Sequence, residues 1–209
     1  MGGDPTAALD PKKRTLAAAE QDPEARSAWR AAHAAAPVTR FVFVDETHTT
    51  RAMARRYARA PHRERAIGRV PRNHGRPTTL LAALTPRGLS APMTLPGAVN
   101  TAAFTAYVAR VLGPELEPGQ IVIMDNLSAH KGAPIIDLIQ ARGCTVVFLP
   151  AYSPDFNPIE LAFSKIKEAL RTAGARTQEA LDEAISMALA TITAHDAVGW
   201  FKHCGYSLA

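Results

Sequence analysis

Three acidic side chains stand at the edges of predicted secondary-structure elements, where they could do chemistry together. Asp45 closes the apolar strand RFVFVDE, Asp125 closes the run IVIMDN, and Glu160 lies in the first turn of a helix that follows a proline turn. In open α/β sheets, ligands bind outside the carboxyl ends of the strands. If the two strands are parallel neighbours, Asp45 and Asp125 project into that region. We therefore take these three carboxylates as the candidate catalytic set.

Such a set of carboxylates predicts a site for divalent metal ions. Three carboxylates in one place repel one another strongly unless cations neutralise them. Hard oxygen ligands, without a cysteine cluster or a histidine pair at zinc spacing, favour Mg²⁺ or Mn²⁺. Two such ions, about 4 Å apart, can activate an attacking oxygen and stabilise a leaving one in phosphoryl transfer. The attacking group would be water or a sugar hydroxyl.

Each acid also has a purely structural interpretation. Asp125 and Asn126 could start the turn that precedes LSAHKG. Glu160 could close a capping box on Asn157, with the intervening proline at the first helical position. These interpretations stay open for each residue taken alone.

Two neighbouring acids are rival ligands. Asp155 lies within the proline turn, where a structural Asx role is favoured. Glu46 follows Asp45 directly, and on a strand the two would point to opposite faces. No nucleophile elbow, phosphate-binding glycine loop or zinc signature competes with the three acids.

The elements that must position these acids follow from hydrophobic periodicity and turn signals. We expect three extended segments, a helix, a strand, a helix, a strand and two helices, which a mixed sheet with helices on both faces accommodates. The arginine-rich segment after the first strand is expected to form a further strand, with turns at Pro61 and Pro71. The predicted strands and helices are residues 40–46, 78–84, 89–95, 101–112, 121–124, 133–141, 144–150, a helix that opens at Pro158, and residues 178–193.

The first 36 residues are expected to be a connector, and residues 37–209 the main domain. The connector should contain one helix, which Asp22 caps, Pro23 opens and Trp29 anchors. With 209 residues, of which 47% are hydrophobic, the chain can bury one full core. It has no apolar run of the roughly 20 residues that a membrane span needs and no signal peptide, so we expect a cytoplasmic protein with two reduced cysteines.

Basic residues are concentrated in one segment. Residues 37–76 contain ten arginines and three acids, which gives that segment a net charge of +7 against +5 for the whole chain. Arginine suits bidentate contact with phosphate, so a nucleic-acid backbone is the expected partner, while a solvated surface is the alternative. The arginines predicted to bind DNA are Arg51, Arg55, Arg56, Arg59, Arg63, Arg65 and Arg76.

Several segments together resemble the catalytic domain of bacterial transposases of the insertion sequence 630 family, relatives of the mariner elements. The resemblance extends from about residue 38 to residue 206, and the 34 residues between Asp125 and Glu160 match the spacing of that family. The matching segments are FVFVDET, RRYARAP, IVIMDNLSAHKG, FLPAYSPDFNPIELAFSKIKEALR and WFKHCGY.

This resemblance implies an α/β domain with a ribonuclease-H-like fold, built on a mixed five-stranded sheet with helices on both faces. It implies that Asp45, Asp125 and Glu160 form an acidic triad that binds two Mg²⁺ or Mn²⁺ ions. It also implies cut-and-paste transposition by a homodimer on double-stranded DNA. In that reaction the element ends are cleaved by hydrolysis, and the free 3′ hydroxyls are inserted at TA dinucleotides.

The sequence departs from the family pattern at two places. Members of the family resemble one another in carrying helix-turn-helix modules before the catalytic domain, whereas residues 1–36 have room only for the connector. A helix-turn-helix half encoded in an upstream frame is therefore an expected partner. In RNHGRPTTL, Gly75 and Arg76 stand where relatives show tryptophan and lysine, which indicates altered DNA contacts or a decayed copy.

Two further residues near the triad are candidate supporting groups. Asn126 could orient Asp125 through a hydrogen bond, and His130 could contact the active site or DNA, although capping or packing would also explain a histidine at a helix start. Two other functions fit the same sequence: a catalytically silent DNA-binding remnant that uses only its arginines, and a stand-alone ribonuclease-H-like nuclease.

Overall fold

A mixed five-stranded sheet forms the centre of the molecule. The computed structural model describes residues 18–126 and 132–207. The strands are β1 Phe41–Thr49, β2 Thr78–Thr85, β3 Gly88–Pro96, β4 Ile121–Met124 and β5 Thr145–Phe148. The helices are α1 Pro23–His33, α2 Thr101–Tyr107, α3 Gly113–Glu115, α4 Ala133–Gln140, α5 Ile159–Ala173, α6 Gln178–Ala190 and α7 Ala194–His203.

The strand order places the two predicted acidic strands side by side. In the sheet the order is β3-β2-β1-β4-β5, with β1, β4 and β5 parallel to one another and with β2 and β3 antiparallel to their neighbours. The antiparallel part is a meander of three consecutive strands, while the parallel strands are joined through helices, as parallel connections require. This topology confirms the predicted mixed sheet.

Helices cover both faces of the sheet, because successive side chains of a strand point to opposite faces. On one face, Phe41 and Phe43 belong to the cluster that includes the buried sides of α5, α6 and α7. On the other face, Val42 and Val44 pack with α2, α4 and the π-helical turn Val108–Leu112 that continues α2. The alternation along β1 therefore places Asp45 on the same face as Phe41 and Phe43, which is the α5 face.

β1 is longer than predicted, and Asp45 lies in its middle rather than at its end. After β4 ends, β2 continues to pair with β1 in antiparallel register, from Asp45 opposite Ala82 to Thr49 opposite Thr78. These pairs supply hydrogen bonds that the apolar pattern of RFVFVDE does not reveal. Asp45 thus lies where β1 has lost its parallel neighbour but keeps its antiparallel one.

The prediction of a strand in the arginine-rich segment is wrong. Residues 51–77, all of which are described, contain neither a strand nor a helix, and residues 55–70 are exposed throughout. The segment has no alternation of apolar side chains to bury, and prolines remove backbone donors at three of its positions. It leaves β1 and returns to β2 as a long surface loop.

The last predicted helix ends earlier than expected, and an unpredicted helix follows it. α6 ends at Ala190, and Thr193 then starts α7 with a capping box in which its side chain accepts from the Asp196 N–H and Asp196 accepts from the Thr193 N–H. The prediction ran through this boundary to residue 193 and missed α7, whose Phe201 packs edge-on against Phe43 with ring centroids 5.5 Å apart. In the described part of the chain, the helices are too short or too polar to cross a membrane.

α1 packs against the domain instead of standing apart from it. Asp22 caps it and Pro23 opens it, as predicted. The Trp29 ring lies 5.7 Å from the Phe156 ring and 6.4 Å from the Tyr206 ring, and its Nε1–H donates to the Phe148 carbonyl at 3.0 Å. The helix therefore touches the end of β5, the proline turn after it and the C-terminal segment.

Replacing Trp29 with alanine tests whether α1 belongs to the folded unit. We expect Trp29→Ala to lower the free energy of unfolding by about 2 to 3 kcal/mol, because the variant lacks a large, partly buried aromatic side chain and its hydrogen bond. The measurement is urea unfolding followed by circular dichroism. Ser27→Ala, at an exposed position of the same helix, is the control and should change little; equal stability of the two variants would contradict this packing.

Candidate active site

The parallel pairing of β1 with β4 brings two of the predicted acids together. The last pair in this register is Val44 with Met124, so Asp45 and Asp125 are the next residues on adjacent strands. β4 ends at Met124, and Asp125 begins the segment that leaves the sheet. Asp45, in the middle of β1, and Asp125, directly after the end of β4, are therefore neighbours across the two strands, as the sequence predicts.

Glu160 reaches the same region from the first turn of α5. A turn of residues 149–158 connects β5 to α5 and contains the short 3₁₀ helix Pro154–Phe156. The turn and the strand ends enclose a cleft of about 560 Å³. All three predicted catalytic acids are among the twelve residues that line it: Asp45, Glu46, Asp125, Asn126, Leu149, Pro150, Ala151, Tyr152, Ser153, Pro154, Asn157 and Glu160.

Asn157 has a role that the sequence did not predict. In the part of the chain that the structure describes, α5 has no side-chain cap, so the predicted capping box between Asn157 and Glu160 does not form. Instead, Asn157 is buried and its Nδ2–H donates to Asp45 Oδ2 at 2.8 Å. The asparagine was missed as a site residue because Asn before Pro at a helix start is the usual signal for a cap. Its true partner is 112 residues away in the chain.

The turn that carries Asn157 and leads to Glu160 is bound by α1 and by the C-terminal segment. The Tyr206 hydroxyl donates to the Phe156 carbonyl at 2.6 Å, and the guanidinium of Arg26 in α1 donates to both oxygens of Asp155 at 3.0 and 2.6 Å. The hydrogen bond from Arg26 holds the pKa of the Asp155 carboxyl below its usual range. Asp155 therefore forms an ion pair with Arg26 of α1, a contact that differs from the Asx role predicted for it.

The Asp45 carboxyl is buried and is surrounded by negative charge. Its pKa is raised to about 8, mainly by burial and also by the charges of Glu160, Asp125 and Glu46. The backbone N–H of Glu46 opposes this rise by donating to Oδ1 at 2.7 Å. Glu46 was expected to face away from Asp45, yet it lines the same cleft. The cleft thus combines a desolvated acid with three more carboxylates close enough to act on it.

The donor set of this cleft suits a hard divalent cation. Its charged ligands are all carboxylates, which Mg²⁺ and Mn²⁺ prefer. In the described residues, however, no three His, Cys, Asp or Glu side chains are grouped closely enough to hold a metal ion. Like charges repel, so a bound cation would be needed to draw these carboxylates together.

The other predicted site residues have different surroundings. Asn126 is exposed and lines the cleft beside Asp125, whereas His130 lies outside the described residues. Arg51 is half-buried, and its Nε and Nη2 donate to the His74 carbonyl at 3.1 and 3.0 Å, so it ties the two ends of the arginine-rich segment together. The remaining predicted arginines are exposed: Arg55, Arg56, Arg59, Arg63, Arg65 and Arg76.

Solved structures with the same fold include transposases of the Mos1 mariner element. The pre-cleavage Mos1 transpososome matches with a TM-score of 0.71 at 16% identity, covering 95% of this chain and 64% of that chain. The Mos1 paired-end complex with Mg matches with a TM-score of 0.69 at 16% identity, covering 95% and 65%. The isolated Mos1 catalytic domain matches with a TM-score of 0.62 at 16% identity, covering 87% and 83%. The fold is therefore the ribonuclease-H-like fold that was predicted, and the chain spans slightly less than two thirds of the transposase chains in the two complexes.

By its sequence, the chain belongs to the family described as DDE superfamily endonuclease. The sequence model of that family matches residues 40–182, which include β1, β4, the proline turn and all of α5. Among curated proteins, no sequence matches this chain significantly. The predicted fold and the predicted membership of a DDE endonuclease family are confirmed.

The pH dependence of stability should report the buried Asp45. Its folded pKa of about 8 lies above the ordinary 3.8, so between these values the folded state keeps a proton that the unfolded chain has released. Stability in EDTA should therefore fall as the pH rises from about 4 to 8, by up to about 1.4 kcal/mol per unit from this group. We expect the melting temperature of Asp45→Asn to depend less steeply on pH, measured by thermal unfolding from pH 5 to 9. Asp137→Asn, at an exposed aspartate of α4, should keep the wild-type slope, and parallel curves for Asp45→Asn and wild type would contradict the assignment.

Proposed function

We propose that this chain is the catalytic domain of a transposase that cleaves DNA at the ends of a mobile element and joins the 3′ ends to a target. One observation carries the proposal: Asp45, Asp125 and Glu160 line a single cleft, where β4 ends beside β1, in a DDE-family endonuclease domain. The structural similarity to Mos1 transposase complexes supports the same function. Residues 37–209 would form this domain, and a TA target is expected from the family resemblance.

The three acids would hold two Mg²⁺ or Mn²⁺ ions. The oxygen donors of the cleft and the Mg of the similar paired-end complex support this choice. When bound, such ions would supply Lewis-acid stabilisation of the charge that develops at the scissile phosphate. Asp45 contributes a rigid ligand because it is buried and held by two N–H donors, while the more exposed Glu160 and Asp125 can adjust to the ions and the DNA.

The exposed arginines of residues 55–76 would bind the phosphates of double-stranded DNA. They lie on the loop that directly follows β1, the strand that contains Asp45. The similar Mos1 structures are a transpososome and a paired-end complex, which supports DNA and a second copy of the chain as partners. A helix-turn-helix half from an upstream frame would add recognition of the element ends. The site of action would be the cytoplasm of a bacterial host.

Removing single carboxylates tests the catalytic assignment. We expect Asp125→Ala and Glu160→Gln each to lower Mn²⁺-dependent nicking of DNA by at least about 100-fold, because each variant lacks a ligand for charge stabilisation at the phosphate. The assay is conversion of supercoiled plasmid, with circular dichroism to verify folding.

Glu168→Gln is the matched control, since Glu168 is an exposed glutamate on the same helix, paired with Arg171. It should nick at the wild-type rate. Unchanged nicking in either active-site variant would refute the triad. Salt-sensitive binding with no nicking by wild type under any divalent ion would identify a silent remnant, and efficient nicking without strand transfer of element ends would identify a stand-alone nuclease.

Neutralising arginines tests the DNA surface. Arg55→Ala combined with Arg56→Ala should weaken binding to DNA of any sequence and reduce the slope of log K against log salt by about 0.9 for each phosphate that the variant no longer neutralises. Fluorescence anisotropy with labelled duplexes at several salt concentrations measures both quantities. Arg110→Ala combined with Arg142→Ala removes two exposed arginines elsewhere and should keep the wild-type slope; an equal weakening in both double variants would show that only net charge matters.

A further inference from the structure

Asn157 hydrogen-bonds to the side chain of Asp45 and to the backbone of Glu160. Its side chain donates to Asp45 Oδ2 at 2.8 Å, and its backbone carbonyl accepts from the Glu160 N–H at 3.2 Å. One residue therefore joins the middle of β1 to the first turn of α5. Among the described residues, Asp45 has two hydrogen-bond donors. One is the Asn157 side chain, and the other is the backbone N–H of Glu46.

The side chain of Asn157 is committed to Asp45 rather than to local structure. It is only 4% exposed, it does not cap α5, and its Oδ1 accepts no hydrogen bond from any described residue. A buried amide that leaves one atom unsatisfied is costly, and an apolar residue of similar size would avoid that cost. The amide is therefore suited to one task, which is to donate to the carboxylate.

The pair of donors fixes how the Asp45 carboxylate is oriented. The Glu46 N–H binds Oδ1 and the Asn157 Nδ2–H binds Oδ2, so rotation about the side-chain bonds would break at least one hydrogen bond. Each oxygen keeps a further lone pair that can bind a cation. Groups that orient metal ligands in this way commonly change metal affinity by 10- to 100-fold when they are removed.

We propose that Asn157 is a positioning residue that holds Asp45 in a fixed orientation relative to Glu160 and thereby sets the affinity of the cleft for divalent ions. This inference rests on the proposed metal-dependent function. Asn157 does not itself act on the DNA or bind the ion. It acts through the Asp45 carboxyl, while its own backbone carbonyl accepts from the Glu160 N–H at the start of α5.

The test is Mn²⁺ binding to the whole chain in the absence of DNA, measured by isothermal titration calorimetry and by electron paramagnetic resonance of free Mn²⁺. Two variants remove the donor: Asn157→Ala leaves space, and Asn157→Leu fills it with an apolar side chain of similar size. We expect both to raise the Kd for Mn²⁺ by about 10-fold or more. Nicking in both should recover at high Mn²⁺, whereas Asp45→Asn should not recover.

Asn100→Ala is the matched control for loss of stability alone. Asn100 is the N-cap of α2, where its Oδ1 accepts from the Ala103 N–H at 2.8 Å, so its removal destabilises the fold without touching the cleft. It should bind Mn²⁺ like wild type, and urea unfolding in EDTA places all variants on one stability scale.

The outcomes separate this inference from the proposed function. If wild type binds Mn²⁺ and both Asn157 variants bind it within twofold of wild type, the positioning role is refuted while the metal site stands. If wild type itself binds no Mn²⁺, the proposed metal-dependent function fails. Weakened binding in Asn100→Ala as well would assign the effect to general destabilisation and would also refute the positioning role.

Discussion

The burial of one carboxylate, that of Asp45, is the constraint on which the arrangement of the cleft depends. A carboxylate in the middle of a strand, on the face that packs against the main helical layer, is unfavourable unless donors or cations compensate it. The Glu46 backbone and the Asn157 amide supply two donors. Three further carboxylates near it make the charge problem worse, and a divalent cation would relieve it. Repulsion among these carboxylates destabilises the metal-free protein, and this cost is typical of a site that binds cations.

The proline turn between β5 and α5 is the part of the scaffold that makes this possible. It presents Asn157 to Asp45 and places Glu160 at the cleft, and it is bound by α1 through Arg26 and by the C-terminal segment through Tyr206. The Arg30 guanidinium stacks on the Phe156 ring at 3.8 Å, which adds a cation–π contact to the same turn. Segments far apart in the chain thus restrain a turn of about ten residues, and this restraint is what lets α5 begin at a fixed place relative to β1.

The charges of the arginine-rich loop are exposed to solvent, in contrast to the buried Asp45. Arg51 and Arg176 donate to backbone carbonyls at its base, and Arg51 joins its two ends through the His74 carbonyl. Beyond this base, the arginines and Tyr57 are exposed. A surface of this kind is suited to binding a polyanion through many weak, salt-dependent contacts, and in the proposed function the acidic cleft would perform the chemistry. β1 connects the two features, since Asp45 lies in its middle and the loop begins after its last residue, Thr49.

Local signals in the sequence were enough to predict most of the strands and helices and the three candidate acids. Apolar runs identified β1, β2, β4 and β5, helical periodicity identified the buried side of α5, and the DDE motifs identified the family, because each of these signals is local or is a spacing along the chain. Tertiary structure decided the rest. Asp45 lies inside β1 because β2, more than thirty residues later, continues the ladder past it. Asn157 serves Asp45 instead of capping α5 because the fold brings a buried carboxylate within 2.8 Å of its amide. A local pattern cannot reveal which distant group competes for a hydrogen bond, and that competition is settled only when the strands, the turn and both ends of the chain have packed together.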